Sequence, residues 1–287
     1  MNILITGCNG QLGSEIRQIE GMYPQYTFFN TDVAELDITD QQAVDDFVAG
    51  NLIDGIVNCA AYTAVDRAES DKELCTTLNT LAPAYLANAV EKRGGWMVQI
   101  STDYVFNGCH HLPYREDDTP SPDSVYGSTK LAAELGVQKF CRRSMIIRTA
   151  WLYSIFGNNF VKTMMRLGNE RSDLGVVVDQ AGTPTYARDL AVAIFAAIDG
   201  GVPTGVFHFS NEGVASWYDF AKAIHRLAGI TTCSVRPILT ADYPTPASRP
   251  PYSVLDKTKI KQTLGIDIPY WEDSLSECIA KLKAAES

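Results

Sequence analysis

Residues Asn2 to Thr6 form an apolar β run, and Gly7-Cys8-Asn9-Gly10-Gln11-Leu12-Gly13 comes next without a break. Leu12, Ile16 and Ile19 then recur at helical spacing. A strand passed by glycines straight into a helix N-terminus leaves few folds open. The turn's amides point outward and the helix dipole favours negative charge, so the segment is suited to a phosphate. Plain βα turns that bind nothing share such glycines; the place directly after the first strand favours a dinucleotide.

Downstream the chain keeps an alternating rhythm. Strands are expected at 27–31, 53–59 and 96–100. A helix is expected at 40–49, with Thr39 and Gln42 as its capping box. A second helical region carries Leu74, Leu78, Leu81, Leu86 and Val90 on its apolar stripe. Such alternation predicts an α/β fold: a Rossmann-type doubly wound parallel sheet with helices on both faces. Past Thr149 the pattern loosens. Helices are expected at 159–167, at 187–198, around Trp217 to Leu227 and from Trp271, with strands at 174–178 and 206–209 and Pro-rich connections between. We therefore divide the chain into a dinucleotide-binding domain, 1–150, and a smaller mixed α/β substrate domain, 151–287, with some later elements crossing back.

Composition narrows the function. With 46% hydrophobic residues the 287-residue chain has a substantial core, and its formal charge of -10 argues against nucleic-acid or anionic-membrane surfaces. The N-terminus lacks the basic and apolar regions of a signal peptide, and no run approaches a membrane span. Seven scattered cysteines without a C-x-x-C pair fit a reducing, cytoplasmic setting. The four histidines show no metal-ligand spacing, so no metal is expected.

Candidate site residues gather where the strands end. Asp32 lies 19 residues beyond Gly13, where a dinucleotide fold places the carboxylate for the ribose 2′-hydroxyl; Glu35 and Asp37 stand close by. No Lys or Arg occurs between Arg17 and Arg67, so the loop has no cation of its own for a 2′-phosphate. That favours NADH over NADPH. Asn58-Cys59-Ala60-Ala61 puts small residues at a strand end, where backbone can approach a cofactor closely. Ser101 and Thr102 offer two hydroxyls at the next strand end, and Tyr126 and Lys130 sit at i and i+4, on one face if helical. A lysine charge roughly 5 Å from a phenol, at an effective dielectric of about 20, is worth about 3 kcal/mol, or about two pKa units. That brings the tyrosine into proton-donating range.

Together these motifs resemble those of extended short-chain dehydrogenase/reductases. Within that group Ala61-Tyr62-Thr63-Ala64-Val65-Asp66, Ser101-Thr102-Asp103-Tyr104-Val105-Phe106 and Tyr126-Gly127-x-Thr129-Lys130-Leu131 are similar to the dTDP-4-dehydrorhamnose reductases. Arg148-Thr149-x-Trp151, Gly157-Asn158-Asn159-Phe160, Asp179-Gln180-x-Gly182-x-Pro184-Thr185 and Tyr243-Pro244-Thr245-Pro246-Ala247-x-Arg249-Pro250 extend the likeness along the whole chain.

The resemblance implies NAD(P)H as cofactor and a nucleotide-sugar substrate, and it leaves monomer or homodimer open. It implies reduction of the C4 ketone of dTDP-4-dehydro-L-rhamnose to dTDP-L-rhamnose. Thr102, Tyr126 and Lys130 are the catalytic set it implies. Its cofactor residues are Gly7, Asn9, Gly10, Gln11, Leu12, Asp32, Asp37, Ile38, Cys59, Ala60, Ala61, Tyr62, Asn79, Tyr126 and Lys130. Its substrate residues are Thr102, Asp103, Tyr104, Tyr126, Trp151, Asn159 and Arg249. A guanidinium held in a Pro-rich loop can take a pyrophosphate through paired bonds.

Two departures matter. Related dehydratases carry a glutamate where Tyr104 stands, which argues for simple carbonyl reduction. Some of these reductases hold magnesium at a dimer contact; Glu15 matches one acidic position, but Arg188 stands at another. The alternatives left open are another nucleotide-sugar keto-reductase or epimerase, and a cofactor-holding regulatory subunit. The intact Thr102, Tyr126 and Lys130 weigh against the last.

Overall fold

The computed structural model describes residues 1–286. Its centre is a six-stranded sheet built from β1 (Asn2–Thr6), β2 (Thr27–Thr31), β3 (Gly55–Asn58), β4 (Trp96–Thr102), β5 (Ser144–Thr149) and a later strand, Gly205–His208. All five pairings are parallel. The spatial order is Gly205–His208, β5, β4, β3, β1, β2, so the order in which successive strands are added reverses between β1 and β3 while the strands stay parallel. That reversal opens a crevice at the strands' C-terminal ends, where open α/β sheets take ligands.

Strand alternation decides which helices lie on which face. Ile3, Ile5, Val57, Val98, Met145 and Ile147 form one core with α1 (Gln11–Ile19) and later helices. Their neighbours Leu4, Ile56, Met97 and Ile146 face the other way, against α2 (Gln41–Gly50), α5 (Ala82–Glu91) and α6 (Val125–Phe140). Short helices α3 (Val65–Ala68) and α4 (Lys72–Thr76) lead into α5 through a π-helical turn, 77–81.

The second lobe contains β6 (Leu152–Tyr153), α7 (Phe160–Glu170), β7 (Asp173–Val177), β8 (Ala181–Gly182), β9 (Thr185–Tyr186) and α8 (Ala187–Asp199). After β10, which is the Gly205–His208 edge strand of the main sheet, come β11 (Ala215–Ser216), α9 (Trp217–Ala228), β12 (Ser234–Ile238), α10 (Thr258–Leu264) and α11 (Trp271–Glu286). Tyr153, Val161, Leu174, Phe220, Ile224 and Leu275 anchor its own core. The lobes interleave in sequence. Leu190, Ile194, Phe195, Phe207 and Ile260 all pack into the first-lobe core, and β10 pairs with β5.

Two local expectations fail. The α2 cap is Asp40: its carboxylate accepts from the Gln42 and Ala43 amides at 2.9 and 3.1 Å. Thr39 instead bonds Asp37 through amide and hydroxyl. Asp40 is already extended and reaches two orphan amides, so it is the better cap. The expected stripe from Leu74 to Val90 is also broken. Leu74 and Leu81 are 51% and 42% exposed, while Cys75, Asn79, Ala82 and Leu86 face inward. The π turn inserts an extra residue per turn, which rotates the buried face. Strand bounds shift by a residue or two, and β4 runs on through Ser101 and Thr102.

Chemical denaturation tests this rotation. Leu86→Ala should cost about 2–5 kcal/mol, as a buried leucine does. Leu74→Ala should stay within about 0.5 kcal/mol, as an exposed one does; equal losses would restore the unbroken stripe.

Candidate active site

The crevice is built from backbone first. Gly7 turns the chain out of β1 with φ +64°, and a Cβ there would lie 2.7 Å from the Ala60 nitrogen. The turn after β1 and the turn after β3 are thus in direct contact, which fixes Gly7, Cys59 and Ala60 on one rim. α1 begins at Gly10 with no side chain on its first amides and no acidic residue in its first turn. An open helix N-terminus beside a glycine-bounded turn fits the pyrophosphate of a dinucleotide.

Asp32 lies at the β2 end of the rim, its carboxylate accepting from the Asn9 amide at 3.1 Å. Arg17 comes to the same place, donating to the Asn9 side-chain oxygen at 3.2 Å. The case for a cation-free loop therefore fails in three dimensions. Arg17 comes off α1, outside the segment that lacked a charge. Asp37 is exposed and binds Thr39, whose two donors hold its carboxyl below the usual range. Ile38 packs in the same core cluster as Val44. Asn79 brackets Tyr62, accepting from its amide at 2.8 Å and donating to its carbonyl at 3.0 Å. This holds the 59–62 turn in shape.

The reacting groups meet at the end of β4. Ser124 caps α6 by accepting from the Gly127 amide, and that cap starts the helix with Tyr126 in its first turn. Gly127 allows the approach: a Cβ there would lie 2.2 Å from the Tyr104 carbonyl oxygen. The Tyr126 phenol lies near enough to the Thr102 hydroxyl to be acted on by it, and the Tyr104 ring meets it edge-on at 5.5 Å. Thr102 in turn donates to Asp103 at 2.9 Å and accepts from the Tyr104 amide. Asp103 is buried, and desolvation pushes its carboxyl up to about 6.

Lys130 does not act on Tyr126 as the spacing implied. Its ammonium is buried and donates to the Ile100 carbonyl at 2.6 Å. Burial pushes it down to about 8, against the pull of Glu134. Burial also raises the phenol of Tyr126, opposed by Thr102 rather than by a lysine charge. An i,i+4 pair shares a helix face, but the strand carbonyl decides where the flexible lysine ends.

Groups from the second lobe close the far side. Arg249 forks onto Asp66 at 2.7 and 2.9 Å and lies close enough to Tyr104 to act on its phenol. Asp66 is a site residue that sequence reasoning missed: pairing to a loop 183 residues away has no local signal. Asn159 caps α7, accepting from the Lys162 amide, and donates to Gln11 on the phosphate turn at 3.0 Å. Trp151 takes φ 48° and stacks on Trp217, centroids 3.7 Å apart. The Asp179-Gln180 segment bonds Thr240. Glu15 is buried under Ser154, which donates to it at 2.6 Å, and Arg188 and Lys281 both act on its carboxyl. Such a donor set does not suit magnesium.

A parallel sheet with a glycine-turn crevice, and a hydroxyl, a phenol and a lysine at the adjoining strand end, defines a short-chain-type oxidoreductase of the extended class. Known proteins agree with this at every level. A family model described as the RmlD substrate binding domain matches residues 1–284. The dTDP-4-dehydrorhamnose reductase of Salmonella typhimurium is 39% identical over 98% of each chain. A crystal structure of a dTDP-4-dehydrorhamnose reductase from Clostridium acetobutylicum superposes with TM-score 0.94 at 45% identity, covering 99% of this chain and 100% of that one. The Bacillus anthracis enzyme, solved in complex with NADP, gives 0.93 at 38% identity, over 98% and 99%. The chain belongs to the RmlD family of dTDP-4-dehydrorhamnose reductases.

The crevice makes a direct prediction. Gly7→Ala must strain a left-handed turn and push Ala60 away, so NADPH affinity measured by calorimetry should fall at least about tenfold, worth about 1.4 kcal/mol. Unchanged affinity would place the cofactor elsewhere.

Proposed function

We propose that this chain reduces the C4 ketone of dTDP-4-dehydro-L-rhamnose to the alcohol of dTDP-L-rhamnose, the last step of that sugar nucleotide's synthesis, with NAD(P)H. The observation that carries this is the grouping of Thr102, Tyr126 and Lys130 beside the crevice, with Tyr104 where a dehydrating enzyme carries its acid. The names of the relatives supply the substrate.

The cofactor, when bound, supplies the hydride that C4 accepts. Gly7, Gly10, Gln11 and Leu12 hold its pyrophosphate, Asp32 its adenosine ribose, and Cys59, Ala60, Ala61 and Lys130 its nicotinamide end. Thr102 orients the ketone by turning its one hydroxyl proton from the Asp103 carboxylate to the ketone oxygen. As the carbonyl π bond breaks, Tyr126 gives its phenol proton to that oxygen, and the product alcohol is neutral. A phenol held protonated by burial is a donor waiting for an alkoxide. Asp103 fixes the Thr102 hydroxyl, and Tyr104 keeps a second acid out of the site. Arg249 takes the diphosphate in place of Asp66. No described helix is long and apolar enough to cross a membrane. All seven cysteines are free, which fits work in the reducing cytoplasm.

Tyr126→Phe should lower kcat about 10²–10⁴-fold while leaving NADPH affinity intact, the range expected for a lost proton donor. Full turnover by that variant, followed by NADPH absorbance, ends the mechanism. Arg17→Ala should raise the Kd for NADPH about tenfold and that for NADH less than about threefold, since only NADPH brings a 2′-phosphate. Equal losses would confine Arg17 to its bond with Asn9.

A further inference from the structure

Three consecutive residues at the end of β4 each hold a different turn of α6. Thr102 faces Tyr126, the Ile100 carbonyl takes Lys130, and the Ser101 hydroxyl donates to Glu134. Tyr126, Lys130 and Glu134 stand at intervals of four, so they share one helix face. Ser101 thereby has a partner that its place in the motif did not suggest.

Glu134 is more than a partner for a serine. Arg148, from β5, forks onto it with Nε to Oε1 at 2.9 Å and Nη2 to Oε2 at 2.7 Å; both side chains are 3% exposed. The free edge of Arg148 meets His208 Nε2 at 3.5 Å, and His208 Nδ1 lies 3.1 Å from the Tyr114 carbonyl. Burial and Arg148 push that imidazole down to about 3, so it is neutral, donates through Nδ1 and brings no charge. Two buried cations, Lys130 and Arg148, therefore lie with one buried carboxylate, Glu134, against the inner face of α6. A buried pair of this kind is weak evidence for stability, because apolar groups of similar volume serve as well. Its place, one turn beyond Lys130, points to the reaction.

We propose that Glu134 is a positioning residue for the reduction: it keeps the Lys130 ammonium charged and seated on the Ile100 carbonyl, while Arg148 and Ser101 hold the Glu134 side chain in place. This rests on the roles proposed for Tyr126 and Lys130 in that reaction. The titratable groups that act on Lys130 are few: Glu134 on its own helix, Cys75 on α4 and Cys59 after β3. The Cys59 thiol is pushed up to about 12 by burial and stays neutral. Glu134 is then the charge that offsets desolvation. A lysine whose charged form is disfavoured loses its proton as pH rises, at about 8 here. Removing the carboxylate takes away that offset and moves the loss to lower pH.

The test is the pH profile of kcat/KM with NADPH and the keto-sugar nucleotide. In Glu134→Gln the alkaline limb should move down by about one unit or more, so activity above the limb falls about tenfold, with little change on the acid side. Glu134→Asp should return the limb towards its original place. Where Glu134→Gln does not fold, Glu134→Gln combined with Arg148→Met removes both charges together, and the limb should move the same way. A limb that superimposes on wild type in whichever variant folds overturns the role. Tyr126→Phe run alongside separates the two ideas. Its full turnover would sink the mechanism, whereas an inactive Tyr126→Phe with an unmoved limb sinks only Glu134.

Discussion

The contact between the end of β4 and the inner face of α6 governs the rest of the molecule. Ile100, Ser101 and Thr102 reach Lys130, Glu134 and Tyr126 by one carbonyl and two hydroxyls. The Ser101–Glu134 bond is buried and the Lys130–Ile100 bond partly so, and sliding the helix would leave a charge or a hydroxyl unpaired in a low-dielectric interior. That penalty, about 1–3 kcal/mol for a neutral group and more for a charge, locks the register. The sheet supports the lock because β4 is central, flanked on both edges by β3 and β5. Reacting groups that must stay within hydrogen-bond reach of one another are placed on the stiffest part of the fold.

The second lobe is tied to that frame by polar contacts at the crevice rim. Ser154 reaches Glu15, Asn159 reaches Gln11, and Arg249 reaches Asp66. Two of the first-lobe partners lie on α1, so the helix that opens toward a phosphate also carries the seam between the lobes. Of these three contacts, the one between Asp66 and Arg249 is an ion pair, and both side chains are partly exposed. Screening by solvent keeps such a pair modest in strength, so a diphosphate can displace the carboxylate.

Charge is distributed to the same end. The chain is acidic overall, yet its site brings Arg17 and Arg249 to separate stretches of the crevice and Lys130 to the reacting groups. An anionic ligand is recognised by local cations while the net charge excludes polyanions. Burial separates the acids in turn. Asp103 is desolvated beside the hydroxyl it fixes, while Glu134 is buried but paired.

The sequence by itself determined the doubly wound sheet, because alternation of apolar runs and glycine turns follows from local backbone physics. It also put Tyr126 and Lys130 on one helix face, because i,i+4 spacing is a short-range fact, whereas the choice of Thr102 over Ser101 came from the family resemblance. It did not determine which cap α2 uses or which leucines face inward past 74; a neighbouring carboxylate and a π turn decided those. Nor did it show Arg17 on Asn9, Arg249 on Asp66, or Lys130 turned to Ile100. Those pairings join residues 8 to 183 positions apart, and only the folded chain brings them together. The glycine turn that opens the chain set what kind of ligand can bind, and tertiary contacts decided which charges meet it.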